Sequence, residues 1–242
     1  MMKINKLSKS FGGLKALSDF NLEISKSKIV AIIGPNGSGK TTLFNVISQL
    51  IKQDEGEVKL GEQKLSDKED FQVAKSGISR TFQDVRLFRN LNIREHLEIA
   101  LSDSNENLIV SLFKKKINNE ERIKKVLNLV GLEKPLGTYA TDLSYGQRKL
   151  LDLAIAIAKP HEILMLDEPV AGINPKLRIK IKEILKTLRK RGESILLIEH
   201  DMNFVMNLAD YVYVLDNGEI IAKGTPRKIQ KNKKVLEAYL GE

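Results

Sequence analysis

Five consecutive apolar residues, Ile29-Val30-Ala31-Ile32-Ile33, run without a break into Gly34-Pro35-Asn36-Gly37-Ser38-Gly39-Lys40-Thr41-Thr42. No other segment constrains the fold as tightly. An uninterrupted apolar run of this length suits a strand buried on both faces. Leu43, Val46, Ile47 and Leu50 then recur at helical spacing. The chain therefore passes from strand through glycine-rich turn to helix. The turn fits G-x-x-x-x-G-K-[ST], with Gly34, Gly39, Lys40 and Thr41 in the defining places. Glycines let such a loop fold around an anion and aim its N–H groups inward. The start of the following helix adds its positive dipole end. Lys40 supplies charge to the outer phosphates and Thr41 a hydroxyl to Mg²⁺. A nucleoside triphosphate, ATP or GTP, is the ligand class implied.

The rest of the chain fits an α/β core. Ile4 and Leu7, then Phe20, Leu22 and Ile24, alternate with polar residues as half-buried strands do. Glu57–Leu60 and Gly77–Phe82 read as short strands, and strand signals return at Ile163–Leu166, Ser194–Ile198 and Tyr211–Leu215. Asn217-Gly218 marks a hairpin turn before Glu219–Ala222. Between about Ile93 and Pro160 helical spacing dominates, at Ile93, Leu97 and Ala100, at Ile123, Val126, Leu127 and Val130, and at Leu150, Leu153, Ala154 and Ile157. Pro175–Arg191 reads as a long amphipathic helix. The pattern predicts one domain with a helical insertion in its middle.

Composition narrows the setting. No apolar run approaches the roughly 18 residues of a membrane span, and the N-terminus lacks the apolar core of a signal peptide. The absence of cysteine excludes disulfides, thiolate metal sites and thiol nucleophiles. A cytoplasmic protein is expected. Net charge is +9, with lysine clusters at Lys114–Lys116 and Lys231–Lys234. No aromatic residues interleave with them, so a solvated surface is expected rather than a nucleic-acid groove; an anionic membrane face is a second use of the same charge.

Two further motifs carry chemistry. Ile163-Leu164-Met165-Leu166 ends in Asp167-Glu168, placing two carboxylates at the C-terminal end of a buried strand, where open α/β sheets bind ligands. Asp167 is placed to hold Mg²⁺ through water, and Glu168 to polarise an attacking water as general base. Leu143-Ser144-Tyr145-Gly146-Gln147 opens a helix. Ser144 and Gln147 fit a capping box, and a capped helix N-terminus is also an anion site.

The phosphate loop, Gln83, Leu143–Gln147, Asp167-Glu168 and His200 occur in the order seen in ATP-binding cassette (ABC) ATPases, and the resemblance spans the chain. It implies a P-loop NTPase core with an N-terminal antiparallel β-subdomain and an inserted α-helical subdomain, the core from 1–92 and 161–242 and the insertion from 93–160. It implies ATP and Mg²⁺ as ligands. Gln83, ending the strand before the insertion, resembles the glutamine that senses Mg²⁺ and the attacking water. His200 resembles the switch histidine that contacts the γ-phosphate. His96 and His161 are read as surface residues. Phe11, before Gly12-Gly13, matches the aromatic position that stacks on adenine; a core anchor is the other reading. Ser144, Gly146 and Gln147 would complete the nucleotide site of a facing subunit, a second copy or a related ABC ATPase. Two departures stand out: Tyr145-Gly146 where two glycines are commonest, and Ala171-Gly172-Ile173-Asn174-Pro175 where many members have Ser-Ala-Leu-Asp.

Those departures are similar to ATPases of branched-chain amino acid importers, as are Phe11–Leu17, Arg80–Phe88, Ile198–Met202 and the tail Glu237–Glu242. The resemblance implies an importer subunit on the cytoplasmic face of the inner membrane, bound to transmembrane permease subunits. The solute would touch only the permease and an extracytoplasmic binding protein. Val85, Leu87, Phe88 and Leu91 would line the groove for a permease helix, or else pack the helical part. A lipopolysaccharide-type exporter ATPase and a soluble non-transport ABC ATPase are the competing readings. The lack of sustained heptads argues against the latter.

Overall fold

The computed structural model describes residues 1–102 and 108–240, with side chains outside 108–118 and 240. In chain order the first half comprises β1 (Met2–Phe11), β2 (Leu14–Ile24), β3 (Ile29–Ile33), α1 (Lys40–Ile47), β4 (Glu55–Leu60), β5 (Gln63–Lys64), α2 (Asp70–Lys75), β6 (Ile78–Arg80) and α3 (Ile93–Leu101). Then follow α4 (Leu108–Val130), α5 (Tyr145–Ala158), β7 (Ile163–Asp167), α6 (Pro175–Lys190), β8 (Ser194–Ile198), α7 (Met202–Met206), β9 (Tyr211–Asp216), β10 (Glu219–Gly224), α8 (Pro226–Gln230) and α9 (Lys233–Leu240).

Two sheets form. The first is antiparallel, in the order β2-β1-β4-β5. The second runs β10-β9-β3-β8-β7-β6, parallel except for β10. The continuous apolar runs have a simple cause. Ala31, Leu164, Leu197 and Val212 face one apolar cluster, shared with α3, α5 and α6. Val30, Met165, Leu196 and Tyr213 face another, shared with α1 and the antiparallel sheet. Helix α1 thus lies between the two sheets. Strands with a core on each side have no polar face, so period-2 alternation vanishes. Helices α3, α4 and α5 pack on one another, and their buried Leu97, Ile123, Leu127 and Leu153 continue into the first cluster.

Local chemistry sets the element ends. Asn92 and Ser144 both close capping boxes, with Glu95 and Gln147. Asn174 caps α6 ahead of Pro175, and Arg189 and Lys190 stand in its last turn, where cations suit the dipole. Asn217 and Gly218 both take positive φ in the β9–β10 hairpin, as a two-residue turn between twisted strands requires.

Three expectations need correction. The strand expected over Gly77–Phe82 ends at Arg80, so Gln83 lies beyond it in an irregular segment. His96 is buried: its Nε2 accepts the Phe88 N–H at 3.0 Å, so Nδ1 donates to the Asn92 carbonyl at 2.8 Å. His161 has a side chain only 5% exposed, between the Lys159 carbonyl and Glu193. Burial opposes its charge, but the Glu193 carboxylate and the Lys159 carbonyl outweigh that and raise its pKa. Of the expected lysine clusters, the Lys114–Lys116 side chains lie outside the described residues; Lys231, Lys233 and Lys234 are exposed. Among the described residues no helix is long and apolar enough to cross a membrane.

Candidate active site

The glycine-rich loop leaves the C-terminal end of β3 and enters α1. At Gly34, φ is +155°, and a Cβ would come within 1.9 Å of the Leu215 carbonyl oxygen. At Gly39, the residue before α1, φ is +103° and a Cβ would meet the Ala16 carbonyl oxygen at 2.3 Å. Both places require glycine because backbone passes where a side chain would stand. The loop is tied to the β9–β10 hairpin by Gly218 N–H donating to the Ser38 carbonyl at 3.0 Å. Lys40 is buried, and its ammonium donates to the carbonyls of Gly34 (2.8 Å) and Pro35 (2.7 Å) and to Ser38 Oγ (3.3 Å). The ammonium therefore lies inside the ring of the loop.

A cleft of about 770 Å³ opens over this loop. It brings together Phe11, all of Gly34–Thr42, Gln83, Glu168 and His200. Phe11 is 45% exposed, with the Lys9 ammonium 5.5 Å from its ring centroid; it is not a core anchor. Glu168 is the junction of the site. One carboxylate oxygen meets His200 Nε2 at 2.5 Å, and the other accepts from Gln83 Nε2 at 3.1 Å. The Glu168 backbone sits at φ +49°, a conformation uncommon outside glycine. Its N–H donates to the Ile198 carbonyl at 3.0 Å.

Asp167, 2% exposed, does not line the cleft, although the adjacent Glu168 does. Its Oδ2 pairs with Arg80 at 3.3 Å, while its Oδ1 has no hydrogen-bond partner among the described residues. Burial raises the Asp167 pKa; Arg80 opposes the rise. The neighbouring strand end carries Glu199, which accepts N–H bonds from Val170 and His200. Burial pushes its pKa up to about 7 against those bonds.

Ser144, Gly146 and Gln147 are not in the loop cleft. They line a separate depression of about 750 Å³ with Tyr145, Gly172 and Leu177. Ser144 Oγ accepts the Gln147 N–H at 3.3 Å, and Gln147 Oε1 accepts the Ser144 N–H at 3.0 Å. The two sequence departures meet here: a Cβ on Gly172 would stand 3.2 Å from the Tyr145 ring. A tyrosine in the helix-opening motif is accommodated by a glycine after the carboxylate pair. The sequence reading missed Arg80 and Lys149 as contributors. Lys149 is buried and donates to the main-chain carbonyls of Gln83 and Glu168. Neither contact has a sequence signal, since each is set by strand and helix packing.

Comparison with known proteins gives a consistent result. The ABC transporter family model matches residues 17–171, and one described as "Branched-chain amino acid ATP-binding cassette transporter" matches 219–242. The high-affinity branched-chain amino acid transport ATP-binding protein LivG of Escherichia coli K12 is 39% identical, over 100% of this chain and 98% of that protein. The corresponding BraF of Pseudomonas aeruginosa is 36% identical, over 100% and 98%. Among solved structures, a nucleotide-free ATP-binding cassette from an ABC transporter superposes with a TM-score of 0.85 at 35% identity, covering 100% of this chain and 99% of that one. The ADP conformation of such a cassette matches with the same TM-score, identity and coverage. With this fold, this cleft and relatives matched end to end, the chain belongs to the ABC transporter family, as one of its ATP-binding ATPase cassettes.

Proposed function

We propose that the chain is the ATP-hydrolysing subunit of a transporter importing branched-chain or similar amino acids. The observation that carries the hydrolytic part is Glu168, whose two oxygens meet Gln83 and His200 beside the phosphate loop. Loop N–H groups and Lys40 bind the β- and γ-phosphates, and Phe11 offers a π-face to adenine. Glu168 takes a proton from a water as its oxygen attacks the γ-phosphorus; the bond from that phosphorus to the β,γ-bridging oxygen breaks, giving ADP and phosphate. Gln83 orients the water. His200 and Lys40 stabilise charge on the transferred group.

The donor set suits Mg²⁺. Thr41 hydroxyl, Asp167 carboxylate and Gln83 amide oxygen are hard donors, too few for a cage, and magnesium keeps waters and uses phosphate oxygens. The unpartnered Oδ1 of buried Asp167 supports this fit. Bound there, the ion would neutralise charge between the β- and γ-phosphates.

The separation of Ser144, Gly146 and Gln147 from the loop cleft supports a head-to-tail pair, a second copy or a related cassette, in which each subunit completes the other's site. A solved cassette dimer at 28% identity, TM-score 0.82, covering 94% of this chain and 99% of that one, is a precedent. The core comprises 1–92 and 161–242, the helical part 93–160. The chain sits on the cytoplasmic face of the inner membrane against permease subunits. Import of branched-chain amino acids rests on the relatives' described role and on the matched tail.

Glu168→Gln should abolish turnover while ATP-dependent dimerisation persists; wild-type turnover would refute its role as base. Lys40→Ala should lose ATP binding. Ser144→Ala in a mixed dimer should impair the opposite site, and damage confined to its own site would overturn the head-to-tail pairing. The permease that copurifies from membranes tests the transport assignment: one whose substrate is not an amino acid removes it.

A further inference from the structure

Helix α5 carries a buried cation with no part in the steps above. Lys149 lies two residues beyond Gln147 and is 4% exposed. Its ammonium donates to the main-chain carbonyl of Gln83 at 2.9 Å and to that of Glu168 at 3.2 Å. These two residues also meet through their side chains, Gln83 Nε2 on Glu168 Oε2. Amide, carboxylate and both peptide carbonyls thus form a closed ring around one lysine tip.

The ring matters because Glu168 needs holding. At φ +49° its backbone occupies a region that is strained for a non-glycine residue and persists only where surroundings over-determine it. Its N–H is fixed by the Ile198 carbonyl and its C=O by Lys149. Gln83 lies in an irregular segment and is itself exposed; no regular ladder sets its direction. Lys149 supplies a common anchor, and it stands on the helix that Ser144 caps. Burial lowers the lysine pKa, opposed by the carboxylates of Asp152, Glu199, Glu168 and Asp167.

We propose that Lys149 is a positioning residue for ATP hydrolysis. From α5 it fixes the main chain of Gln83 and Glu168, so that amide and carboxylate face one reacting position. It thereby makes their alignment depend on the orientation of the helix bearing Ser144. The proposal rests on the reading of Glu168 as base.

The test compares Lys149→Met, Lys149→Gln and Lys149→Arg in the full chain. The readouts are steady-state hydrolysis of Mg-ATP and titration with a fluorescent ATP analogue. Methionine keeps the apolar stem and removes the donors. Since a misplacement of about 1 Å in a reacting group costs on the order of 100-fold, kcat should fall about 10- to 100-fold. Analogue affinity and KM should stay within about threefold, because no loop residue is touched. Arginine, which keeps charge and several donors, should recover most of kcat. Glutamine, one atom shorter, cannot hold both carbonyls and should lie between. A Lys149→Met kcat near wild type overturns the proposal, as does a loss of affinity in step with kcat. Should the methionine variant fail to fold, a wild-type kcat for Lys149→Gln overturns it equally. Glu168→Gln run beside these separates the failures. If that variant turns over normally, the base assignment has failed; if it is inactive while Lys149→Met is unimpaired, only the positioning role has.

Discussion

Replacing Arg80 by methionine should be among the costliest single changes in this chain. The Arg80 and Asp167 side chains are 7% and 2% exposed, so water screens neither. Their contact is one ion pair at 3.3 Å. Arg80 Nη1 also donates to Ser48 Oγ at 3.1 Å, and the guanidinium lies 5.4 Å and 4.8 Å from the Phe44 and Phe82 ring centroids. Arg80 Nε and Asp167 Oδ1 have no partner among the described residues. A pair this buried and this incompletely bonded contributes little net stability, but breaking it strands a charge. The methionine variant keeps most of the aliphatic stem and loses the guanidinium that stands over the two rings. It leaves Asp167 buried and uncompensated, at a cost of about 3–5 kcal/mol, or roughly 10 °C in Tm for a chain of this length.

The pH dependence gives the sharper test. Burial already raises the Asp167 pKa, and Arg80 is the chief influence opposing the rise. Without Arg80 the folded-state value climbs further above the unfolded one. A carboxyl shifted upward on folding binds its proton more tightly in the native state, so stability falls as pH rises. The penalty of Arg80→Met should therefore be larger at pH 8 than at pH 5, since protonation on the acid side lets Asp167 be buried neutral. Urea unfolding of both proteins in EDTA across that range measures the gap. Adding Asp167→Asn to Arg80→Met should restore much of the loss at pH 8. A gap under 1 kcal/mol at pH 8, a gap independent of pH, or no rescue by asparagine would refute the reasoning.

Gly34→Ala should cost about 3 kcal/mol or more in urea unfolding, because its Cβ would sit 1.9 Å from a main-chain oxygen. Gly37→Ala, with φ +78° and nothing within 4 Å, should cost only about 1–2 kcal/mol; equal losses would remove the steric argument. Asp152, whose pKa burial lifts to about 7 against the pull of Lys149, should make stability decline as pH rises from about 4 to 7, and Asp152→Asn should flatten that slope. Phe11→Ala should weaken binding of a fluorescent ATP analogue about tenfold, the equivalent of roughly 1.4 kcal/mol of stacking, with Tm unchanged and Phe11→Tyr near wild type.

Much of the core was legible because its strands are buried on both sides. Ile29–Ile33, Ile163–Leu166 and Ile195–Ile198 show as unbroken apolar runs, and all three lie in interior strands of the parallel sheet. Short elements were not. Helices α2, α7 and α8 span six, five and five residues, too few turns for a period of 3.6 to register. His96 was misread although a signal existed, since Ile93, Leu97 and Ala100 place it on the apolar stripe of α3. His161 carried no such signal. Its partner Glu193 lies 32 residues away, and only packing brings the two together. Arg80 and Lys149 share that character, for their partners stand 87 residues from Arg80 and 66 and 19 from Lys149.

The sheet order explains why distant motifs meet at all. Strands β3, β8 and β7 are neighbours and parallel, so their C-terminal ends deliver Gly34, His200 and Glu168 to one edge, where open α/β sheets bind ligands. Helix α5 precedes β7 and joins the site differently. At Lys149 it is level with the Glu168 carbonyl. Ser144 stands five residues earlier, about 7 Å further along the axis at 1.5 Å per residue. The helix start lines its own depression beside Gly172, apart from the loop cleft. Lys149, which on our proposal aligns the carboxylate, thus stands on the same helix as a Ser144 that lies outside the loop cleft, and that separation is what the proposed pairing of two subunits rests on.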